Sequence, residues 1–147
     1  MSSPYQPYPQ DPSGGYGQPL AGDPGPGGYL RGAPVGFGAA ITEAFKSAFN
    51  YNGRASRSAY WWFALFDVIA SIVLILLAAV LKDVGVVILI LWYIVSFFIT
   101  LSLAVRRLHD SNRSGAWYLI VLVPLIGGIW LLVLLCQQGT PGPNRWG

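Results

Sequence analysis

From residue 60 onward the chain is built of long apolar runs separated by short polar ones, and the runs share a length. Residues 60–81, 84–105 and 116–136 form three stretches of 21 or 22 residues in which Asp67 is the one formal charge. At about 1.5 Å of rise per residue each would make a helix of about 32 Å, enough to cross a hydrocarbon core of about 30 Å. The pattern predicts three transmembrane helices. Only Lys82 and Asp83 separate the first two, so these are expected as antiparallel neighbours.

Upstream, over 35–51, the period changes. Phe37, Ile41, Ala44, Phe45, Ala48 and Phe49 recur at helical spacing with Thr42, Glu43, Lys46, Ser47 and Asn50 between them. Such a helix is too short and too polar to span, and is expected to lie in the headgroup region. Asn52-Gly53 supplies a turn, and Arg54 and Arg57 then lead into an aromatic belt at Tyr60, Trp61 and Trp62. Residues 1–34 carry Tyr5, Tyr8, Tyr16 and Tyr29 among Pro, Gly and Gln, with almost no aliphatic side chain. A segment of this kind cannot bury enough apolar surface to offset its ordering entropy, so a disordered tail is expected, either merely solvated or docking a partner. The fold class is an all-α membrane protein: a tail over 1–34 and a membrane domain over 35–147, with three transmembrane helices preceded by an interfacial amphipathic helix.

Composition sharpens this. The chain is 54% hydrophobic and only 10% charged, against about 25% charged residues in a soluble domain. Its net charge of +3 comes from nine Lys and Arg that gather at the ends of the apolar runs, which reads as topology rather than as a nucleic-acid surface. With the N-terminus cytoplasmic, Arg31, Lys46, Arg54, Arg57, Arg106, Arg107 and Arg113 lie inside, and Lys82 and Arg145 outside. Three crossings then place the C-terminus outside the cytoplasm. The start of the chain lacks the basic and apolar regions of a signal peptide, so the first span is expected to act as its own insertion signal. Cys136 is the single cysteine, so no intrachain disulfide can form.

Candidate chemistry is sparse. Asp67, about 10 Å inside the first span by helical rise, would cost about 2.5 to 3.5 kcal/mol at a helix centre. Antiparallel packing sets Thr100 opposite Asp67 and Ser96 opposite Ser71, a polar seam toward which the long Arg107 side chain could reach. The seam reads as packing with a snorkelling charge pair, or as a proton- or ligand-responsive site. Pro124 with Gly127-Gly128 predicts a kink in the third span, which allows close packing or a small cavity. The loop over 106–115 offers Arg106, Arg107 and Arg113 as clamps for lipid phosphates. His109 and Asp110 stand beside each other there, but adjacent side chains diverge, and no second His or Cys completes a metal site. The bland reading is a charged loop that sets orientation.

Four blocks carry a resemblance: FNYNGRASRSAYWWF (49–63), RRLHDSNRSGAW (106–117), LVPLIGGIWLL, and CQQGTPGPNRWG (136–147). In this order they resemble the small bacterial inner-membrane proteins grouped as domain of unknown function 805, the YhaH-like family. The resemblance implies a multi-pass bacterial membrane protein without an assigned activity, and contributes no catalytic residue. The long Pro, Gly and Tyr-rich tail departs from the shorter family members.

The expected function is therefore a non-enzymatic plasma-membrane protein. It would bind anionic lipid headgroups or a protein partner through Arg54, Arg57, Arg106, Arg107 and Arg113. The alternative is a small oligomeric transport or permeation unit using Asp67, Ser71, Ser96 and Thr100. An enzyme acting on lipid headgroups through His109 or Asp110 is the weakest reading, since no acid, base and nucleophile are set together. No cofactor, metal or nucleic-acid partner is expected. Membrane lipids are the expected partners, with self-association or another membrane protein left open.

Overall fold

In a computed structural model the described residues are 34–140 and 144–146, so the expected tail lies almost wholly outside them. Among the described residues there are helices and no strands. Two helices are long and apolar enough to cross a membrane: α2, Arg57–Leu81, and α3, Asp83–Asp110. Their 25 and 28 residues correspond to about 37 and 42 Å. Ser56 caps α2, its hydroxyl accepting from the Ala59 N–H at 3.2 Å. The two are joined through Lys82, held at φ 50, a conformation that reverses the chain within a single residue. The reversal brings the backbones together: a Cβ on Gly85 would stand 2.5 Å from the Ala78 Cα.

Before them, α1, Phe37–Lys46, is shorter than the predicted 35–51. It is docked on the bundle. Phe37 meets Trp62 edge-on at 5.7 Å, and Phe45 meets Phe63 and Phe66, each at 6.2 Å. The Val35 N–H donates to the Ser58 hydroxyl at 2.8 Å. At the other end the chain leaves the helix because α3 captures it: the Ser102 hydroxyl donates to the carbonyls of Ser47 and Asn50 at 2.9 and 2.7 Å. Phe63, Ile99, Leu103, Ala44 and Ala55 close over the junction as one core.

The largest departure from the sequence expectation is the third apolar run. A single straight helix over 116–136 does not form. Gly115–Leu122 is a 3-10 helix, the chain turns at 123–126, and α4, Gly127–Cys136, returns. Pro124 explains the break: it has no N–H to donate and holds Val123 in an extended conformation with ψ 114. Gly127 explains the closeness of the two arms, since a Cβ there would run into the Ile120 carbonyl oxygen. Both ends of this hairpin reach the C-terminal end of α3. Gly115 abuts Val105, and Leu131, Leu134 and Leu135 pack with Ala104 and Leu108. The predicted kink is thus a full reversal.

The two glycines of the hairpin should behave differently. Gly127→Ala forces the arms apart and should lower stability by about 1 to 3 kcal/mol, as overpacking does, whereas Gly128→Ala has open space around it and should leave the unfolding midpoint in detergent unchanged.

Candidate functional site: a buried clamp at the end of α3

The last turn of α3 holds the densest polar contacts in the molecule, and every group in it is inward. Asp110 is 2% exposed, Arg107 0%, Arg106 1% and Arg54 7%. A carboxylate so placed must be paired. Arg54 donates from its guanidinium to Asp110 Oδ1 at 2.9 Å, and Arg107 to Oδ2 at 2.6 Å. Neutral acceptors take up further N–H groups of the three guanidiniums. Arg54 also donates to the Thr140 carbonyl at 2.7 Å, Arg107 to the Leu135 carbonyl at 3.1 Å and to that of Gln137, and Arg106 to the Ser47 hydroxyl at 2.8 Å. Placing these cations at a helix C-terminus also suits the helix dipole.

A helix end leaves carbonyls without partners, and here the segment after α4 and Ala55 supply them. Asp110 O accepts from Thr140 N at 2.8 Å and from its Oγ1 at 3.0 Å. The Asn144 amide donates to His109 O at 2.9 Å and to Thr140 Oγ1 at 2.8 Å. Arg106 O accepts from Ala55 N at 3.0 Å. Gly139 passes so close to the carboxylate that a Cβ would collide with Asp110 Oδ2. The His109 ring stacks on Trp146 with centroids 3.7 Å apart and planes 4° from parallel. Its Nδ1 lies 3.2 Å from the Gly53 carbonyl. Arg145 covers the outer face of Trp146 and donates to Asn112 O at 3.2 Å.

Several predicted site residues therefore have other roles. Arg54, Arg106 and Arg107 are internal fasteners and present no free fork to a phosphate. His109 and Asp110, adjacent in sequence, face different partners. Arg57 is exposed and Arg113 half-buried, its guanidinium 5.3 Å from the Trp117 ring. Sequence reasoning missed Gly139, Thr140, Asn144 and Trp146. The signal was there in GTPGPNRWG, a block of hydrogen-bonding and turn-forming residues directly after an apolar run. Among the described residues no three metal-binding side chains converge.

The seam within the bundle also differs from its expected pairing. Ser71 accepts from Trp92 Nε1 at 3.2 Å rather than meeting Ser96, and the Ser96 hydroxyl turns to its own helix at Tyr93 O, 3.5 Å away. Asp67 faces Ser96 and Trp92. Its Oδ1 is buried without a hydrogen bond, and no bond joins Asp67 to Thr100 or to Arg107, which is occupied with Asp110.

Residues 48–147 match the family described as "protein of unknown function (DUF805)". That span includes Arg54, Arg106 and Arg107, Asp110 and the residues that follow α4. The chain belongs to this family. It is similar to the inner membrane protein YhaI of Escherichia coli (strain K12), 40% identical over 105 residues that cover 71% of this chain and 89% of YhaI. It is also similar to the inner membrane protein YhaH of the same strain, 36% identical over 117 residues, covering 71% of this chain and 90% of YhaH. A more distant relative, the uncharacterized protein YiiR of that strain, is 30% identical over 105 residues, covering 67% of this chain and 63% of YiiR. No solved structure matches the chain. The protein is thus a bacterial inner-membrane family member, all-helical over its described residues.

Two outcomes test the clamp. Asp110→Leu strands two buried guanidiniums and should cost about 3 to 5 kcal/mol, while Arg57→Gln, on an exposed residue, should stay within about 0.5 kcal/mol; unfolding in mild detergent reads both. His109 lies past the apolar part of α3. Burial holds its ring below the ordinary value of 6.5, and the Arg145 charge pushes the same way against the Gly53 hydrogen bond. The unfolded chain then takes up its proton first, so stability is full above about pH 6.5 and falls as the pH is lowered. His109→Gln should flatten that slope below about pH 6.5.

Proposed function

We propose that the protein is a non-enzymatic membrane-anchored platform with both termini on the cytoplasmic side. Its basic rim, the exposed Lys46, Arg57 and Arg145 with the half-buried Arg113, rests on anionic headgroups. One observation carries this reading: Thr140 and Asn144 are hydrogen-bonded to the end of α3 that Arg54 also grips. A C-terminal segment fixed there lies on the same side as the start of α2. Two crossings by α2 and α3, with the apolar hairpin entering and returning, satisfy this. Eight of the nine basic residues, all but Lys82, then fall inside, one more than three crossings allow, which fits the positive-inside rule better. Trp61, Trp62 and Trp117, each about 40% exposed, sit beside the rim at the level where interfacial aromatics belong.

The absence of catalysis is inferred from engagement. His109, Asp110 and the arginines of the clamp are engaged with one another, with the Ser47 hydroxyl and with main-chain carbonyls, so none of these groups is turned toward a substrate. A second reading, a permeation unit, has one observation in its favour, the unpaired Asp67 Oδ1 between α2 and α3.

A reporter fused after Gly147 should be cytoplasmic, and an extracytoplasmic signal would defeat the topology. In nanodiscs of mixed composition, the protein should enrich anionic over neutral phospholipid in native mass spectra. Neutralising Lys46, Arg57, Arg113 and Arg145 together should abolish that enrichment while leaving the unfolding midpoint in place; enrichment that persists would remove the rim from the account. For the permeation reading, vesicles holding the protein should show no pH-dependent flux above empty vesicles, and a flux lost in Asp67→Asn would favour it instead.

A further inference from the structure

The hairpin turn is where the fold is least self-sufficient. Leu125 is 92% exposed and Leu122 75%, so water is a poor environment for the side chains. The backbone is a poor match for lipid. Leu125 is held at φ 66, a region in which bulky side chains are seldom found. Pro124 has no N–H, and the Leu125 N–H donates to nothing among the described residues. Irregular backbone at membrane depth is tolerated where protein or a water-filled cavity covers it, and not against acyl chains. The turn therefore calls for a protein cover that this copy does not provide.

A matching surface exists on α3. Ile90, Tyr93, Ile94, Phe97 and Phe98 line an open groove of about 460 Å³. Tyr93 is 49% exposed and its hydroxyl has no hydrogen bond among the described residues, an unfavourable state for a phenol in an apolar setting. Depths agree. Phe97 and Tyr93 precede Arg107 by 10 and 14 residues, about 15 and 21 Å along the helix, and the ten residues of α4 climb about 15 Å from the level of Arg107 before the turn. The groove lacks an apolar plug and an N–H donor, and the turn offers both.

We propose that two copies of this chain pair about a two-fold axis, each inserting its 122–126 turn into the other's α3 groove, with Tyr93 accepting from the partner copy's Leu125 N–H. The proposal rests on the re-entrant reading above. Reciprocal exchange closes the assembly at two copies, since the same two patches serve both.

The test uses the full chain in isolated membranes, in a Cys136→Ser background. Two differently tagged copies, one with Leu125→Cys and one with Phe97→Cys, are coexpressed and treated with a mild oxidant. A disulfide between the two tags is expected, as is a dimer mass for the unsubstituted protein in native spectra. Tyr93→Phe removes one hydrogen bond from each half and should weaken dimerisation about eightfold, the worth of two interhelical hydrogen bonds in lipid. A monomer mass, a link only between two Leu125→Cys copies, or a link from Leu125→Cys to a protein of another mass would each overturn the exchange. Failure of the underlying topology is separable, because the Gly147 reporter would then read extracytoplasmic whatever the cross-links show.

Discussion

A carboxylate taken out of water needs donors to replace the solvent, and Asp110 finds them on Arg54 and Arg107. Those two guanidiniums come from the loop before α2 and from α3, and each has further N–H groups to place. They place them on the carbonyls of Thr140, Leu135 and Gln137. One buried acid thereby fixes three segments: the approach to α2, the end of α3 and the irregular segment after α4. In a low-dielectric setting such a network is stable only when every member is satisfied, which accounts for the close fit of Gly139 and the exchange of hydrogen bonds through Thr140 and Asn144.

The clamp also governs the apolar segment between its two ends. Once Gln137 and Thr140 are bound at the level of Arg107, the run from Gly115 to Cys136 must come back to where it started, whatever its length would permit. Pro124 supplies the place to reverse, and Gly127 the close approach of the arms. Core contacts from Leu131, Leu134 and Leu135 onto Ala104 and Leu108 hold the returning arm on α3. The same geometry leaves Leu125 at the outer end of the turn, 92% exposed, with no acceptor for its N–H among the described residues.

The two long helices and the tight Lys82 reversal were legible because length and apolarity are local properties of the chain. So was the existence of α1, whose stripe of Phe37, Ile41 and Phe45 recurs at helical spacing. Its docking was not legible, because a stripe facing lipid headgroups and a stripe facing Phe63 and Phe66 have the same period. The hairpin hid for a similar reason: 21 apolar residues read alike as one crossing or as two half-depth arms, and only long-range contacts to Arg107 and Asp110 decide between them. The arginines were picked out as important but given the wrong direction, since sequence does not report that Arg54 and Asp110, separated by 56 positions, meet. Asp67 was found by its rarity, and its neighbours proved to be Ser96 and Trp92 rather than Thr100 and Arg107.

For function, the consequence is that the basic residues divide into two sets. Among the described residues Arg54, Arg106 and Arg107 are buried in the clamp, Lys46, Arg57 and Arg145 are exposed at the same end, Arg113 is half-buried there, and Lys82 is exposed at the far end. The division depends on the C-terminal segment lying at the same end as the start of α2, and a distance across that end tests it most directly. Spin labels at the exposed positions Arg57 and Arg145, each replaced by cysteine in a Cys136→Ser chain held in nanodiscs, report it by pulsed electron resonance. The clamp requires a distribution centred well below the hydrocarbon thickness of about 30 Å. A distribution centred at or beyond that thickness would place the two residues on opposite faces and contradict the account.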